Sequence, residues 1–411
     1  MEKAERKRLA MAGRRGYVSR TSGRPDGHPV QDMQRYDSFD GLRGFAAIGI
    51  LLMHYLANLP PEAGRELAAS GPLLYGQVIP FFTSFVYLFF ILSAFSLCCG
   101  YLGKFAVRRV RIGGRETAVS EFDAERFYSR RYARIWPFFA LLVVLDVAME
   151  PSADTLCEAF ADLTLAFNLL PNPDISVIGV GWFLGLVFLF YMVFPWFAFL
   201  LRSRRRAWFA MAASLAFHVV VARYFLTERF CTPGQIAAAR HNFVYSFPFF
   251  LAGGLLYLHR ERLAVRSLTG RLVLLGAAVA ASVIEFTPFR PAPFGENILY
   301  AGLVFVLWIA YAATGGIAVR GFKLLDNPAA AFLGGLSMEI YLSHMMVFRA
   351  IGKLHPERFV RDPHLLYWLW CALGLAGSVA FSWLAARKVL PAAGAWFRRR
   401  RTAPEGEAGG K

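Results

Sequence analysis

Arg43 and His54 are the first two residues whose types and spacing could carry chemistry. They stand eleven positions apart at the start of the first apolar segment. At about 100° per residue this is roughly three turns plus 20°, so both share one helix face, about 16 Å apart along the axis. Imidazole is well suited to proton transfer near neutral pH. The spacing therefore suits a long anionic molecule that enters from the cytoplasm, with its charged end on Arg43 and its reactive end near His54.

The same pair also has an ordinary structural interpretation. An arginine near a helix end can extend its guanidinium to the membrane interface, and a histidine can hydrogen-bond to a neighbouring helix. Spacing alone favours neither interpretation. In both cases we expect Arg43 at the cytoplasmic interface and His54 near the middle of the bilayer.

A second basic pair, Arg131 and Arg134, opens the third apolar segment. Their spacing of three places both side chains on nearly the same helix face, and paired guanidinium groups match phosphate oxygens in bidentate geometry. The pair fits a phosphate-bearing ligand. It also fits the positive flank of a membrane helix on its cytoplasmic side, and without other observations this simpler interpretation is favoured.

The ninth apolar segment contains a polar stripe. Ser337, Tyr341 and His344 follow i, i+4, i+7 spacing and line one helix face, and Glu339 lies about a third of the way round from them. Ionisable groups inside a membrane helix are costly and by default indicate function, although hydrogen bonding between helices explains the stripe equally well. His218 has no surrounding pattern, and we interpret it as structural.

The composition predicts the membrane helices that would position these residues. Of the 411 residues, 56% are hydrophobic and only 18% are charged, the mean hydropathy is +0.43, and phenylalanine alone occurs 39 times. Soluble domains are about half apolar and about one quarter charged. A soluble domain, a disordered protein, a fibre, a coiled coil and a disulfide scaffold are therefore excluded. The remaining class is an all-α polytopic membrane protein.

About 20 helical residues cross a bilayer core, and on that basis the sequence predicts ten spans, with both termini in the cytoplasm. They are Gly41–Leu59, Val78–Cys99, Tyr132–Met149, Val180–Leu201, Ala207–Leu226, Phe243–Leu258, Leu272–Phe286, Ile298–Val319, Ala331–Ile351 and Leu366–Ala386. Several are short, so nine or eleven spans are alternatives. The amphipathic segment Leu156–Leu170 is predicted to lie on the surface or to re-enter the membrane.

The distribution of basic residues supports this topology. The 45 Lys and Arg outnumber the 28 Asp and Glu, which by itself could indicate nucleic-acid binding. With the N-terminus inside, however, 35 of the basic residues fall in predicted inner segments and 7 in outer segments. Cytoplasmic loops carry such an excess, so the net charge of +17 is explained by membrane orientation, and no nucleic-acid partner is expected.

The sequence predicts three segments along the chain. Residues 1–37 are predicted to be a disordered basic cytoplasmic arm, 38–388 the transmembrane domain, and 389–411 a flexible basic tail. No apolar core with a small-residue cleavage site opens the chain, so the first span is expected to act as an uncleaved targeting signal. The five cysteines show no CxxC spacing, and neither a metal site nor a redox pair is predicted.

Taken in order, these segments resemble the membrane acyltransferase-3 family, whose members O-acylate carbohydrates and other hydroxylated acceptors. Arg43 and His54 fit the family's Arg-X10-His pattern within a DGLRG opening, and Arg131 and Arg134 fit its Arg-X-X-Arg motif. Ser93-Ala94-Phe95 stands where Ser-Gly-Phe is common, and 336–344 is similar to the late Ser…Tyr-Leu-x-His segment. The resemblance covers roughly residues 38–386.

The resemblance implies a cytoplasmic acyl-CoA donor, often acetyl-CoA, and a hydroxyl acceptor such as a cell-envelope carbohydrate. Arg131 and Arg134, together with Arg43, would hold the CoA phosphates, and Asp40 would orient Arg43. His54 would be the general base on the acceptor hydroxyl or, less simply, would carry the acyl group. The implied location is the plasma membrane, by default a bacterial inner membrane. The candidate pocket residues are Trp182, Tyr191, Ser337, Glu339, Tyr341 and His344.

One motif departs from the family. Many members carry Trp-Ser-Leu-x-x-Glu-x-x-Phe-Tyr in the fourth span; this chain keeps Trp182, Phe190 and Tyr191 but has Phe183 at the serine position and Val187 at the glutamate position. A mechanism that needs this carboxylate is therefore not expected here. Glu339 is a speculative substitute for it.

The competing class is a proton-coupled transporter or flippase for a lipid-linked or small-molecule substrate, in which membrane-buried His and Glu relay protons and no bond is made. Transporters of this kind often contain inverted repeats and paired broken helices, and the sequence shows neither. A membrane scaffold without chemistry would leave the charged helix faces unexplained. The sequence therefore favours the O-acyltransferase.

Overall fold

The described residues form a helical protein with one small hairpin. The computed structural model describes 36–105, 107–112, 115–120, 122–170, 177–232, 236, 240–263, 265, 267–319 and 321–392. The chain divides into two units, 1–34 and 35–411, and all described residues belong to the second. Apart from residues 36–37 and 389–392, the predicted arm over 1–37 and the predicted tail over 389–411 lie outside the described residues.

Thirteen α-helices of eight residues or more occur in this described part. They are α1 Ser38–Ala57, α2 Pro61–Ser70, α3 Phe85–Tyr101, α4 Ala124–Met149, α5 Ala153–Thr164, α6 Trp182–Leu200, α7 Arg204–Val220, α8 Phe243–Leu258, α9 Leu268–Glu285, α10 Asn297–Ala313, α11 Pro328–Gly335, α12 Ser337–Gly352 and α13 Pro363–Leu384. Short π, α and 3-10 turns extend α3 into one helical stretch over Leu74–Phe105.

The prediction of a polytopic helical membrane protein is confirmed. Seven helical stretches of the described chain are long and apolar enough to cross a membrane, and α11 with α12 makes an eighth span if the bent pair is counted once. The apolar helices α8 and α10 are shorter. The seven stretches, the bent pair and the two shorter helices coincide with the ten predicted spans. The predicted number of spans is larger than eight because the prediction counted the two shorter helices as full spans.

Three predicted boundaries differ from the observed ones for identifiable reasons. Helix α4 starts two turns before the predicted Tyr132, because the Asp123 side chain caps it by accepting a hydrogen bond from the backbone N–H of Arg126. Helix α10 ends at Ala313 and not at Val319, since Gly315 and Gly316 follow in left-handed conformations. The predicted ninth span is two helices that meet at 67°.

The exception to the all-α prediction is a hairpin between α3 and α4. Strands β1 Val107–Ile112 and β2 Arg115–Ser120 pair antiparallel, with Val107 opposite Ser120 and Ile112 opposite Arg115. The signal was available in the sequence, because two runs containing β-branched residues flank the dipeptide Gly113-Gly114, a typical hairpin connection. The predicted spans leave this segment as the connection between the second and third of them, on the inner side.

Helices α1, α4 and α12 run in the same direction, and this places the site residues. Gly44 of α1 lies against Gly334, while His54, further along α1, contacts His344. Arg134 near the start of α4 pairs with Glu339 at the start of α12, and the later residues of these helices pair in the same order. The bundle therefore has an arginine end, where α1, α4 and α12 begin, and a histidine end, where they finish.

The glycines of the Asp-Gly-Leu-Arg-Gly opening allow α1 to approach α11 backbone to backbone. A Cβ atom at Gly41 would lie 2.3 Å from the carbonyl oxygen of Leu325, and one at Gly334 would lie 2.0 Å from that of Asp40. Real side chains do not approach so closely. Close packing through small residues is the usual means by which membrane helices associate, so this motif has a packing role besides any chemical one.

The outer helices carry apolar side chains on the surface of the bundle. Phe209 and Phe217 on α7 and Val273 and Val283 on α9 are all more than half exposed. Large exposed apolar patches in a folded chain indicate contact with an apolar partner. On helices that meet the length and hydropathy of membrane spans, that partner is the lipid bilayer.

Candidate active site

The Arg43 guanidinium forms two hydrogen bonds at the arginine end. It donates to Asp40 Oδ1 at 2.9 Å, one turn earlier on α1, and to Ser96 Oγ at 2.7 Å on α3. The Asp40 contact agrees with the predicted orienting role. Ser96 was not predicted, because nothing in the sequence indicates which residue of α3 faces Arg43. These two bonds fix the guanidinium between α1 and α3.

Arg131 lies among aromatic rings at the same end. Its guanidinium is 5.5 Å from the ring centroid of Tyr101 and 5.8 Å from that of Tyr191, and it donates a hydrogen bond of 3.3 Å to Tyr101 Oη. Such stacking holds the planar group in one orientation. Within the described part of the chain its buried Nε has no hydrogen-bond partner.

Arg134 donates a 3.2 Å hydrogen bond to Glu339 Oε1 across α4 and α12. The arginine side chain is 56% exposed and the glutamate only 5%, so the pair anchors an otherwise accessible guanidinium. The structure gives Glu339 this arginine, and not His54, as its partner. The suggestion that Glu339 replaces the missing carboxylate beside the base therefore gains no support, since the partner of His54 on α12 is His344, five residues further along the helix.

The three arginines converge on Tyr191, although their helices are separate in sequence. Arg43, Arg131 and Arg134 all lie close enough to the Tyr191 hydroxyl to act on it electrostatically. Arg43 is paired with Asp40 and Arg134 with Glu339, so Arg131, 5.8 Å from the Tyr191 ring centroid, supplies most of the net positive charge around this buried phenol. The structure thus brings the arginines of the two predicted motifs close to Tyr191, which belongs to the family motif in the fourth span.

At the histidine end, His54 and His344 face each other. The Nε2 atom of His344 lies 3.0 Å from Nδ1 of His54. His54 is in the last turn of α1, which ends at Ala57, two residues before the predicted Leu59. The predicted stripe on α12 therefore contributes His344 to the site.

The hydrogen-bond partners determine which nitrogens carry protons. The His344 Nδ1 atom faces the Tyr341 carbonyl at 2.5 Å, and a carbonyl can only accept, so Nδ1 of His344 is the protonated nitrogen. Its Nε2 then accepts from His54, whose Nδ1 also faces the Ile50 carbonyl at 3.1 Å. Nδ1 of neutral His54 is therefore protonated, and its Nε2 carries the lone pair.

A cavity of about 300 Å³ adjoins this pair, at the lower limit for small-molecule sites. His54 lines it, whereas His344 is fully buried behind. The other lining residues are Val177, Ile178, Gly179, Val180, Leu342, Met345, Met346 and Arg349. The imidazole of His54 is thus in contact with a space that could receive a ligand, which is the first requirement for a general base.

Two charged residues at the histidine end were missed by the sequence analysis. Arg349 of α12 donates to the carboxylate of Asp146 on α4, and Asp146 is 4% exposed. The sequence contains little indication of this ion pair, because each of the two residues stands alone near the end of a predicted span. A carboxylate within an apolar segment could have been flagged as needing a cation, but its partner could not have been named.

The remaining predicted residues have structural contacts. Ser337 donates to the Gly334 carbonyl at 2.8 Å, which stabilises the bend between α11 and α12. Tyr341 donates to the Val180 carbonyl at 3.0 Å and so fixes a wall of the cavity. Trp182 stacks on the ring of His241 with a centroid distance of 3.6 Å.

His218 has a recorded contact that fits the structural interpretation. Its Nδ1 lies 2.6 Å from the Tyr245 carbonyl and its ring stacks on that of Tyr245, on a helix distant in sequence from α1 and α12. The fully buried histidine links α7 to α8. Neither Tyr245 nor His218 lines the cavity beside His54.

Comparison with known proteins identifies the family. A family description of an acyltransferase domain, acyltransferase family 3, matches residues 36–387. No curated protein and no solved structure gives a significant match to the chain. The matched region contains both arginine motifs, the two histidines and the cavity, and it spans most of the 411 residues. The chain belongs to acyltransferase family 3, and it is a polytopic membrane O-acyltransferase.

Proposed function

We propose that this protein transfers an acyl group, in the simplest case acetyl, from cytoplasmic acyl-CoA to a hydroxyl group of an acceptor bound beside His54. The observation that carries the proposal is the His54–His344 contact, because it leaves Nε2 of a cavity-lining imidazole as a free base. The phosphates of acyl-CoA would lie beside Arg43 at one end of α1, and its thioester would lie beside His54 at the other end. Plasma membrane location is part of this proposal, and so is an acceptor of the cell envelope, either a carbohydrate or a similar compound with a free hydroxyl.

The arginine end suits the donor. Acyl-CoA carries its phosphates and its thioester at opposite ends of a long flexible arm, and Arg43 and His54 are about 16 Å apart along α1. The exposed guanidinium of Arg134 and the guanidinium of Arg131, which the rings of Tyr101 and Tyr191 orient, would supply N–H donors for phosphate oxygens. We assign phosphate binding to these two residues with Arg43, and orientation of Arg43 to Asp40 and Ser96.

The reaction follows from the protonation states of the pair. Nε2 of His54 takes the proton from the acceptor hydroxyl as its oxygen attacks the thioester carbonyl carbon. The new C–O bond forms, the C–S bond breaks, and the imidazolium returns the proton to the CoA thiolate. While His54 is charged, its Nδ1–H donates to Nε2 of His344 and to the Ile50 carbonyl, which stabilises the cation and keeps the ring oriented.

The assay uses purified full-length protein in lipid nanodiscs with radiolabelled acetyl-CoA and a membrane lipid or glycan extract. We expect label to move to an acceptor in an acceptor-dependent reaction, with free CoA released in equal amount. The proposal is refuted if intact protein gives no labelled acceptor and no CoA release with any extract. Proton-coupled flux across proteoliposomes without label transfer would assign the chain to the transporter class instead.

His344 acts through His54 and is a positioning residue. We expect His344→Phe to lower kcat about 10- to 100-fold, because Nδ1–H of His54 keeps only the Ile50 carbonyl as acceptor and the imidazolium formed in the reaction loses its bond to His344. His344→Gln should recover a large part of the rate, since its amide oxygen can accept the same hydrogen bond. A purely structural role would instead lower the thermal stability of both variants without a difference in kcat between them.

Arg131 is expected to determine affinity for the donor. Hydrogen bonds to charged groups contribute about 1.5–3 kcal/mol, so Arg131→Met should raise the KM for acyl-CoA about 10- to 100-fold with little change in the KM for the acceptor. Arg206→Met is the matched control, because Arg206 also stacks on an aromatic ring, 4.2 Å from the centroid of Phe199. Equal effects of the two substitutions on the donor KM would contradict the assignment.

A further inference from the structure

The walls of the cavity beside His54 are mostly apolar. Six of the nine lining residues have aliphatic or thioether side chains, and only His54 and Arg349 bring polar side-chain atoms. Leu342, Met345 and Arg349 follow i, i+3, i+7 spacing and so lie on one face of α12. An acceptor in this cavity must leave water along most of its surface, and each unpaired polar group that it buries is costly.

The single cation of the cavity is already neutralised. Arg349 is bonded to the buried carboxylate of Asp146 behind it, so the pair has no net charge, and an anionic ligand would meet the carboxylate's repulsion as well as the guanidinium's attraction. A guanidinium has five N–H donors, and within the described chain only one of them has a recorded protein partner. The remaining donors can bind an uncharged oxygen.

The partner of the base and the hydrogen-bond donor Arg349 stand at a fixed separation on α12. His344, which contacts His54, and Arg349 are five residues apart, or about 7.5 Å along the helix axis. Between these levels the cavity is lined by the thioethers of Met345 and Met346, which are adaptable apolar contacts. An acceptor could therefore place one hydroxyl on His54 and a second oxygen near Arg349, with apolar surface between.

We propose, building on the function proposed above, that the acceptor is an uncharged alcohol with an apolar body and a second oxygen that accepts a hydrogen bond from Arg349. Asp146 holds this guanidinium in place. Arg349 is thus a specificity-determining residue for the acceptor and has no part in binding the donor. A sugar with polar groups on all sides and an acceptor that carries a carboxylate are both poor substrates.

Four compounds with the same six-membered carbon ring test this proposal as acceptors for [14C]acetyl-CoA. They are trans-1,4-cyclohexanediol, cyclohexanol, myo-inositol and trans-4-hydroxycyclohexanecarboxylate. We expect kcat/KM for the diol to exceed that for cyclohexanol about tenfold, which is the effect of one hydrogen bond from a charged donor. The kcat/KM values for myo-inositol and for trans-4-hydroxycyclohexanecarboxylate should be lower than the value for cyclohexanol. A preference for either of these two would overturn the proposal.

Removal of the ion pair tests the role of Arg349. Breaking it by a single substitution would leave a buried charge, so the variant is the double replacement Arg349→Met and Asp146→Leu, which packs the space with apolar groups. We expect the diol preference over cyclohexanol to disappear, while the KM for acetyl-CoA stays unchanged. The matched control is Arg290→Met with Glu285→Leu, a pair of similar exposure (36% and 3%) outside the cavity, which should retain the preference.

A binding measurement separates this inference from the proposed function. Saturation-transfer NMR on the His54→Gln protein in nanodiscs ranks the four ring compounds without any turnover. If acyl transfer is absent but diol binding is strongest and depends on Arg349, the proposed function fails and the preference of the cavity stands. If transfer occurs and the Arg349/Asp146 variant retains the diol preference in both assays, the inference is wrong and the acyltransferase mechanism is unaffected.

Discussion

Replacement of His54 by alanine is expected to lower kcat for acyl transfer roughly 10²- to 10⁴-fold, the contribution typical of a positioned general base. The reason is local: Nε2 of His54 is the unprotonated nitrogen, since Nδ1 donates toward Ile50 and His344. Among the described residues that line the cavity, His54 is the only imidazole, so none of them can take over. The measurement is the initial rate of CoA release with saturating donor and acceptor.

The structure offers a close control for this substitution. His259, which follows α8, also points its Nδ1 at the carbonyl four residues earlier, 2.9 Å from that of Leu255, as His54 does with Ile50. His259→Ala should leave the rate within about twofold while perturbing the local backbone bond in the same way. If His54→Ala retains most of the wild-type rate and a normal thermal transition, His54 is not the base.

Substitution of Gly334 by alanine is expected to destabilise the protein strongly. The added Cβ would lie 2.0 Å from the carbonyl oxygen of Asp40, and a backbone atom inside a helix cannot move aside as a side-chain tip can. Overpacking of this kind costs typically 1–3 kcal/mol. Because the neighbouring turn of α1 carries Arg43, the separation of α1 from α11 should also raise the KM for the donor.

The control for Gly334 is the next residue. A Cβ at Gly335 meets nothing within 4 Å, and both glycines end the same helix, so Gly335→Ala should be neutral or slightly stabilising. The midpoint of thermal unfolding in detergent compares the two variants, together with the donor KM. Equal midpoints would show that α1 and α11 do not pack through these glycines.

Much of the arginine end could be predicted, because its motifs lie within single helices. Arg43 with Asp40 and Arg131 with Arg134 are pairs whose relative placement follows from helical periodicity alone. Their convergence on Tyr191 could not be derived that way, since it depends on how three helices pack. The resemblance to the family, which the match over 36–387 confirms, placed these residues together before any geometry was available.

The histidine end shows where periodicity stops being informative. His344 was predicted as part of a stripe on its own helix, and its partner was not, because His54 is 290 residues earlier in the chain. The pair Asp146 and Arg349 was missed for the same reason, with 203 residues between its members. Single-helix patterns show which face is polar, but they carry no information on which helix covers that face.

The sequence alone determined the class of the protein and the end of each helix at which its charges lie. Hydrophobic length and the alternation of basic loops are properties of single segments, and a bilayer acts on each segment separately. The tertiary structure decided the hydrogen-bond partners of Nδ1 of His54, the cavity beside it and the pairing of Arg349 with Asp146. Those depend on contacts between helices far apart in the chain, where packing and hydrogen bonding, and not local periodicity, determine the outcome.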